Sequence, residues 1–191
     1  MSPSTSVQER TTRAFVALEL DSQMRDALLR LVADIGVSLP GVRWVRPDAL
    51  HLTLRFLGDA RDSQLERLAE RLRTAAGVCP PSQARVAGLG MFPDGGSPRV
   101  LWIGIRVPTP ILALQQACER AAREVGFAAE RRPFRPHLTL ARWRDRVARP
   151  SLPDPDLGLT TLSHLVLFGS ALRPDGAVHT PFQRHALGSA S

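Results

Sequence analysis

The 191-residue sequence contains no lysine: all 25 of its basic residues are arginine, set against 18 acids, for a formal net charge of +7 and a pI near 11.3. Coding bias accounts for much of that excess. It also suits an anionic partner such as nucleic acid, since guanidinium offers a planar fork that grips phosphate at two points. Cysteine is scarce as well. Cys79 and Cys118 are too few for a disulfide framework and lack the paired spacing of a structural zinc site, so both are expected as reduced thiols. No segment approaches the ~18 consecutive apolar residues of a membrane-spanning helix, and the first thirteen residues are polar, without the apolar centre of an export signal. The expected setting is the cytoplasm, away from membranes. H-E-x-x-H, G-x-x-x-x-G-K-[ST] and G-x-G-x-x-G are also missing, which removes common zinc-hydrolase, nucleoside-triphosphate and dinucleotide signatures. Neither a metal nor another cofactor is expected.

What the sequence does have is a composition that can bury a core, with 43% hydrophobic and 23% charged residues, and an internal repeat. Arg46-Pro47-Asp48-Ala49-Leu50-His51-Leu52-Thr53-Leu54 matches Arg132-Pro133-Phe134-Arg135-Pro136-His137-Leu138-Thr139-Leu140, so R-P-x-x-x-H-L-T-L occurs twice, 86 residues apart from His51 to His137. The same offset lays the strand-like Arg13–Leu18 on Arg99–Gly104. A helix follows each. The first is capped by Asp21 or Ser22, with Met24, Leu28, Leu31, Val32 and Ile35 on one face; the second starts at Thr109-Pro110, carries Ile111, Leu114, Cys118 and Val125, and stops at Gly126. Beyond the first repeat, Asp59 or Asp62 caps a helix bearing Leu65, Leu68, Leu72 and Ala76, followed by a strand near 85–91. Beyond the second come a Pro-rich loop over 150–158 and strands over 162–172 and 178–187, joined by the turn Arg173-Pro174-Asp175-Gly176. The expectation is one domain over 1–191, with a disordered tail over about 1–12 and duplicated units over about 13–92 and 99–187. Its class is α+β and bilobal: two pseudo-twofold-related lobes of antiparallel sheet plus helices, with a central cleft.

Side chains alternate along a strand, so each H-L-T-L turns its His and Thr to one face and both leucines to the other. Symmetry then brings His51, Thr53, His137 and Thr139 to one cleft. Paired imidazoles suit displacement at phosphorus, because a neutral ring can take a proton from the attacking oxygen while a charged one gives a proton to the leaving oxygen. Threonine hydroxyls and a guanidinium would hold the phosphate oxygens. Arg142 lies just beyond the strand pattern, whereas Arg55 is expected on the histidine face. His164, His179 and His185 are expected on the surface or on edge strands, and Arg142, Arg144, Arg146 and Arg149 in a solvated loop. Phe56, Phe92, Trp44 and Phe134 are near enough in sequence to stack on a base, but such aromatics are more often core than platform, and none is assigned that role.

At these residues the sequence resembles the 2H phosphoesterase superfamily, and more narrowly the bacterial and archaeal RNA 2′,3′-cyclic phosphodiesterases, also called 2′-5′ RNA ligases. The resemblance extends over Arg13–Leu18, Arg43–Pro47, Phe56-Leu57-Gly58, Pro98–Trp102, Arg132–Arg142 and Leu167-Phe168. It implies a metal-independent hydrolase that opens a 2′,3′-cyclic phosphate on RNA or a nucleotide to a 2′-phosphate, and the reverse joining of RNA through a 2′-5′ linkage. It also implies catalytic roles for His51 and His137, and phosphate contacts from Thr53, Thr139 and Arg142. The working order is His137 as base and His51 as acid, which the symmetry of the repeat leaves open. A monomer is expected. The competing class is a module that binds RNA or nucleotides in the same basic cleft without turning them over.

Overall fold

In a computed structural model, residues 11–39, 41–173 and 176–188 are described. The chain runs β1 (Thr11–Glu19), α1 (Ser22–Gly36), β2 (Val42–Trp44), β3 (His51–Arg61), α2 (Asp62–Val78), β4 (Ser82–Phe92), β5 (Val100–Arg106), α3 (Thr109–Glu124), β6 (His137–Trp143), β7 (Asp156–Leu162), β8 (His164–Arg173) and β9 (Gly176–Ala186). The expected tail falls mostly on residues 1–10, outside the described residues; β1 already begins at Thr11. Two residues of the expected 173–176 turn likewise lie outside them.

Every strand pairing is antiparallel, in the order β7-β4-β5-β6-β3-β1-β8-β9, with the short β2 alongside β6. The fold is α+β with two four-stranded halves, as expected. The spatial halves are not the sequence halves, however. β4, which follows the first repeat, pairs with β5 of the second, and β8, which follows the second repeat, pairs with β1 of the first. Each unit thus lends its outer strand to the other. β7 starts within the segment where Pro150, Pro153 and Pro155 point to a loop; it is an edge strand on β4. β2 is only three residues long, too short for a periodicity to register.

The helices cover one face. Asp21 caps α1 as expected, its Oδ1 accepting from Met24 N at 2.8 Å, and its Oδ2 accepts from Thr160 Oγ1 at 2.9 Å and Thr161 N at 2.7 Å, which ties α1 to β7. α2 differs slightly, because Gln64 Oε1 accepts from Arg61 N and Asp62 is the first helical residue. Met24, Leu28, Leu31 and Ile35 of α1, Leu65, Leu68, Leu72 and Ala76 of α2, and Ile111, Leu114 and Cys118 of α3 are buried, with Val32 only half-buried. Each fully buried leucine is worth roughly 1.5–3 kcal/mol. That apolar face leaves the opposite face of the sheet free for polar chemistry.

Candidate active site

β3 and β6, the two H-L-T-L strands, lie side by side at the centre of the sheet and pair at Leu52 and Leu138. Both leucines are fully buried on the helix face. One residue outward in either direction, that antiparallel register sets His51 opposite Thr139 and Thr53 opposite His137, all on the open face. The pseudo-twofold axis passes through the leucine pair. Cross-strand diagonals of this kind place Cβ atoms about 7–8 Å apart, enough for one tetrahedral phosphorus between two imidazoles.

A cavity of about 590 Å³ opens over this strand pair, bordered by His51, Thr53, Thr139 and Arg142, with His137 one position along the same face opposite Thr53. Arg13, Arg43, Arg46 and Arg132 also border it, so its walls are strongly cationic.

Each imidazole is oriented in the same way. His137 Nδ1 donates to the Arg135 carbonyl at 2.6 Å, and His51 hydrogen-bonds the Ala49 carbonyl, also two residues upstream. Pro136 restricts Arg135 to an extended backbone, whereas Pro47 opens a short 3₁₀ turn, Pro47–Ala49, that leads to His51. Around His51, Phe15 stacks at 4.7 Å between centroids and 25° between planes, while His179 stands edge-on at 5.4 Å and 82°. Around His137, Phe92 and Trp102 stand edge-on at 5.1 and 6.2 Å. Burial, then the neighbouring charge of His179, pushes the His51 pKa down to about 3. Burial also lowers His137, against its hydrogen bond to Arg135, with the charges of Arg135 and Arg142 adding to the lowering. Both shifts favour the neutral form of the ring.

Arg142 reaches the cavity because of an irregularity. Strict alternation would turn residue 142 away from His137. On β5, Leu101 pairs with Ala141 and Trp102 with Thr139, which leaves Leu140 as an extra residue. This bulge reverses the alternation. β3 has the same bulge at Leu54, with Val16 pairing Arg55 and Ala17 pairing Thr53. The expectation for Arg55 is therefore wrong. It is 6% exposed on the helix face, paired with Glu119 at 2.5 Å and donating to the Phe56 and Ala128 carbonyls. Phe56 takes the cleft-facing place instead and is 51% exposed.

His179 lies on the edge strand β9, as expected, opposite Ser170, but it also borders the cavity and touches His51, which was not expected. It has no counterpart in the repeat, so no sequence signal marked it. His164, by contrast, lies at the start of β8 with its Nδ1 against Ser163 Oγ at 2.9 Å. Among the described residues, no group of three or more His, Cys, Asp or Glu could hold a metal ion, and no helix is long and apolar enough to cross a membrane.

Comparison with known proteins follows the same lines. A family model described as LigT like Phosphoesterase matches residues 18–102 and 105–179. An RNA 2′,3′-cyclic phosphodiesterase of Methanothermobacter thermautotrophicus is 31% identical over 178 residues, 90% of this chain and 96% of the relative. One of Geobacillus stearothermophilus is 35% identical over 128 residues, 67% of this chain but only 41% of that relative's length. The crystal structure of TT0787 of Thermus thermophilus superposes with a TM-score of 0.84 at 28% identity, over 94% of this chain and 100% of that one. E. coli LigT complexed with 3′-AMP gives 0.79 at 26% identity, over 93% and 99%. Paired H-x-T strands about a pseudo-twofold axis, matched along nearly the whole sequence and fold, place this chain in the LigT-like phosphoesterase family.

Proposed function

We infer that this protein is a phosphoric diester hydrolase that opens the 2′,3′-cyclic phosphate of an RNA or nucleotide end to a 2′-phosphate, acting as a monomer in the cytoplasm. The observation that carries the reading is the Leu52–Leu138 pair, which sets two histidines and two threonines around one space. The substrate class is that named for the relatives above. The cationic walls suit an anionic substrate.

In the proposed step, one neutral imidazole takes a proton from water as its oxygen attacks phosphorus. The P–O3′ bond breaks, and the other imidazole, charged, delivers its proton to O3′. Positioned proton transfer of this kind contributes on the order of 10² to 10⁴ in rate. Thr53, Thr139 and Arg142 hold the non-bridging oxygens, whose charge shifts in the transition state. The Nδ1 bond of His137 to the Arg135 carbonyl leaves its Nε2 for the substrate, and the bond of His51 to the Ala49 carbonyl likewise leaves one ring nitrogen for it. Attack by an RNA 5′-hydroxyl in place of water, with the same P–O3′ bond breaking and O3′ taking the proton, would join ends through a 2′-5′ linkage in the same cleft.

The working order, His137 as base and His51 as acid, requires the arriving phosphate anion to lift His51 from about 3 into the neutral range. The reverse order starts from His51 in the neutral form that a base needs, and asks the arriving phosphate to charge His137, whose lowering by burial is opposed by its bond to the Arg135 carbonyl.

The test is to incubate the protein, in EDTA, with an RNA bearing a defined 2′,3′-cyclic end and to locate the phosphate in the product. A 2′-phosphate supports the reading. Tight binding without cleavage would instead support the binding-module alternative.

A further inference from the structure

Resting on the hydrolase reading above, we propose that His179 is a positioning residue for His51, a third imidazole that fixes the seat and the charge of one reacting ring and leaves its repeat mate alone.

The repeat builds two equal half-sites. Each has a histidine anchored on the carbonyl two residues upstream, a threonine two residues downstream and a fully buried leucine between them. Acid–base catalysis needs unequal rings, one neutral and one charged at the same moment. A symmetric pair offers no such preference, so the difference has to come from outside the repeat. His137 is flanked by Phe92 and Trp102, which carry no charge at any pH. His51 is flanked by Phe15 at 4.7 Å, Phe168 at 5.9 Å and His179 at 5.4 Å. His179 stands edge-on to the stacked Phe15–His51 pair, at 81° to one ring and 82° to the other, and so touches both at once.

His179 reaches this place through strand pairing, since β9 runs along β8, β8 along β1 and β1 along β3. Its ring borders the cavity, and its Nδ1 is buried with no hydrogen-bond partner among the described residues. Little charge surrounds the pair. Asp48 and Arg46, from the turn before β3, act on His179 in opposite senses and are bonded to each other at 3.0 Å. Ser170 faces it from β8, and Arg13 of β1 borders the same cavity. His51 meets His179 from β9 and His137 from β6. No carboxylate is found among the described residues that border the cavity. Two imidazoles in contact, with no acid beside them, do not both charge readily, because the first proton opposes the second. His51 is the more deeply enclosed and takes its proton second. As pH falls, His179 charges first and holds His51 neutral.

The experiment is the pH profile of kcat/KM for 2′,3′-cyclic AMP in EDTA, measured for wild type and for His179→Phe, which keeps a ring edge on Phe15 and His51 and takes no proton. That profile reports both rings of the free protein, whichever is acid and whichever base. In His179→Phe the acid limb should move up by about 0.6 to 2 pH units, the effect of two unit charges 5.4 Å apart between the dielectric of water and that of a protein surface. The alkaline limb should stay in place. His179→Gln, neutral and without a ring, should move the same limb in the same direction, so that a packing defect in one variant does not decide the result. Samples from each pH are returned to neutral buffer to confirm that full activity survives. An acid limb that stays put in both variants, or that moves together with the alkaline limb, overturns the proposal. A lower rate at every pH with the profile unchanged does so too, since that is the mark of a merely structural residue. If wild type cleaves nothing, the hydrolase reading falls, and this inference with it.

Discussion

Holding His51 neutral should make the protein acid-sensitive in a way that one substitution removes. In the unfolded chain a histidine titrates near 6.5, while burial between Phe15 and His179 brings His51 down to about 3 in the folded protein. Between those values the unfolded state binds the extra proton, so stability rises with pH there and is lost as pH falls below 6.5. Each unit of pH well inside that window is worth about 1.4 kcal/mol, and from pH 8 to pH 5 the share due to His51 is about 2 kcal/mol. His51→Phe keeps an aromatic ring on Phe15 and strands the Ala49 carbonyl, a cost of about 1 kcal/mol that does not vary with pH. Urea unfolding of both proteins at pH 8 and pH 5 reads the difference. Wild type should lose about 2 kcal/mol more than His51→Phe on acidification, the other titrating groups being common to both. Parallel pH dependences would refute the idea that His51 is held neutral by its surroundings.

Other consequences follow from packing and charge. Breaking the buried Arg55–Glu119 pair with Glu119→Gln should cost about 3–5 kcal/mol in denaturant unfolding, while Arg55→Met with Glu119→Leu should recover most of it; equal losses in the two variants would show that the pair is not the source. Gly90→Ala drives a methyl into the Trp102 ring and should lower stability by about 1–3 kcal/mol and slow turnover, because Trp102 pairs with Thr139; unchanged activity and melting would contradict the close fit. Added inorganic phosphate should raise the NMR pKa values of His51 and His137, since an anion between the rings favours their charged forms, whereas titration curves unmoved at saturating phosphate would place the anion elsewhere.

The repeat made most of the site legible. H-L-T-L names its four central side chains, and alternation alone puts them on one face, where the Leu52–Leu138 register sets them together. The two bulges were not legible, because an extra residue at Leu54 or Leu140 changes the pairing on the neighbouring strand and leaves no mark in the strand's own sequence. Ideal alternation therefore placed Arg55 on the cleft face, where Phe56 in fact lies, and left Phe56 without a role. The place of His179 beside His51 was hidden for a different reason. It enters through β9, which pairs with β8, which pairs with β1, a route that crosses the boundary between the duplicated units and is recorded only in three dimensions. The exchange of β4 and β8 between units is hidden in the same way, since sequence similarity reports descent of the units and pairing reports where their edges found partners.

The most direct measurement of the central claim, two imidazoles acting on one phosphorus as base and acid, uses a cyclic phosphate whose 3′ oxygen is replaced by sulfur. A thiolate leaves without needing a proton, so loss of the acid should be tolerated and loss of the base should not. On the ordinary oxygen substrate His51→Ala and His137→Ala should each fall by at least about 10². On the sulfur substrate one variant, the one that lacks the acid, should regain most of its rate, and the other, which lacks the base, should not. Rescue of both variants, rescue of neither, or an undiminished rate in either on the oxygen substrate would contradict the account.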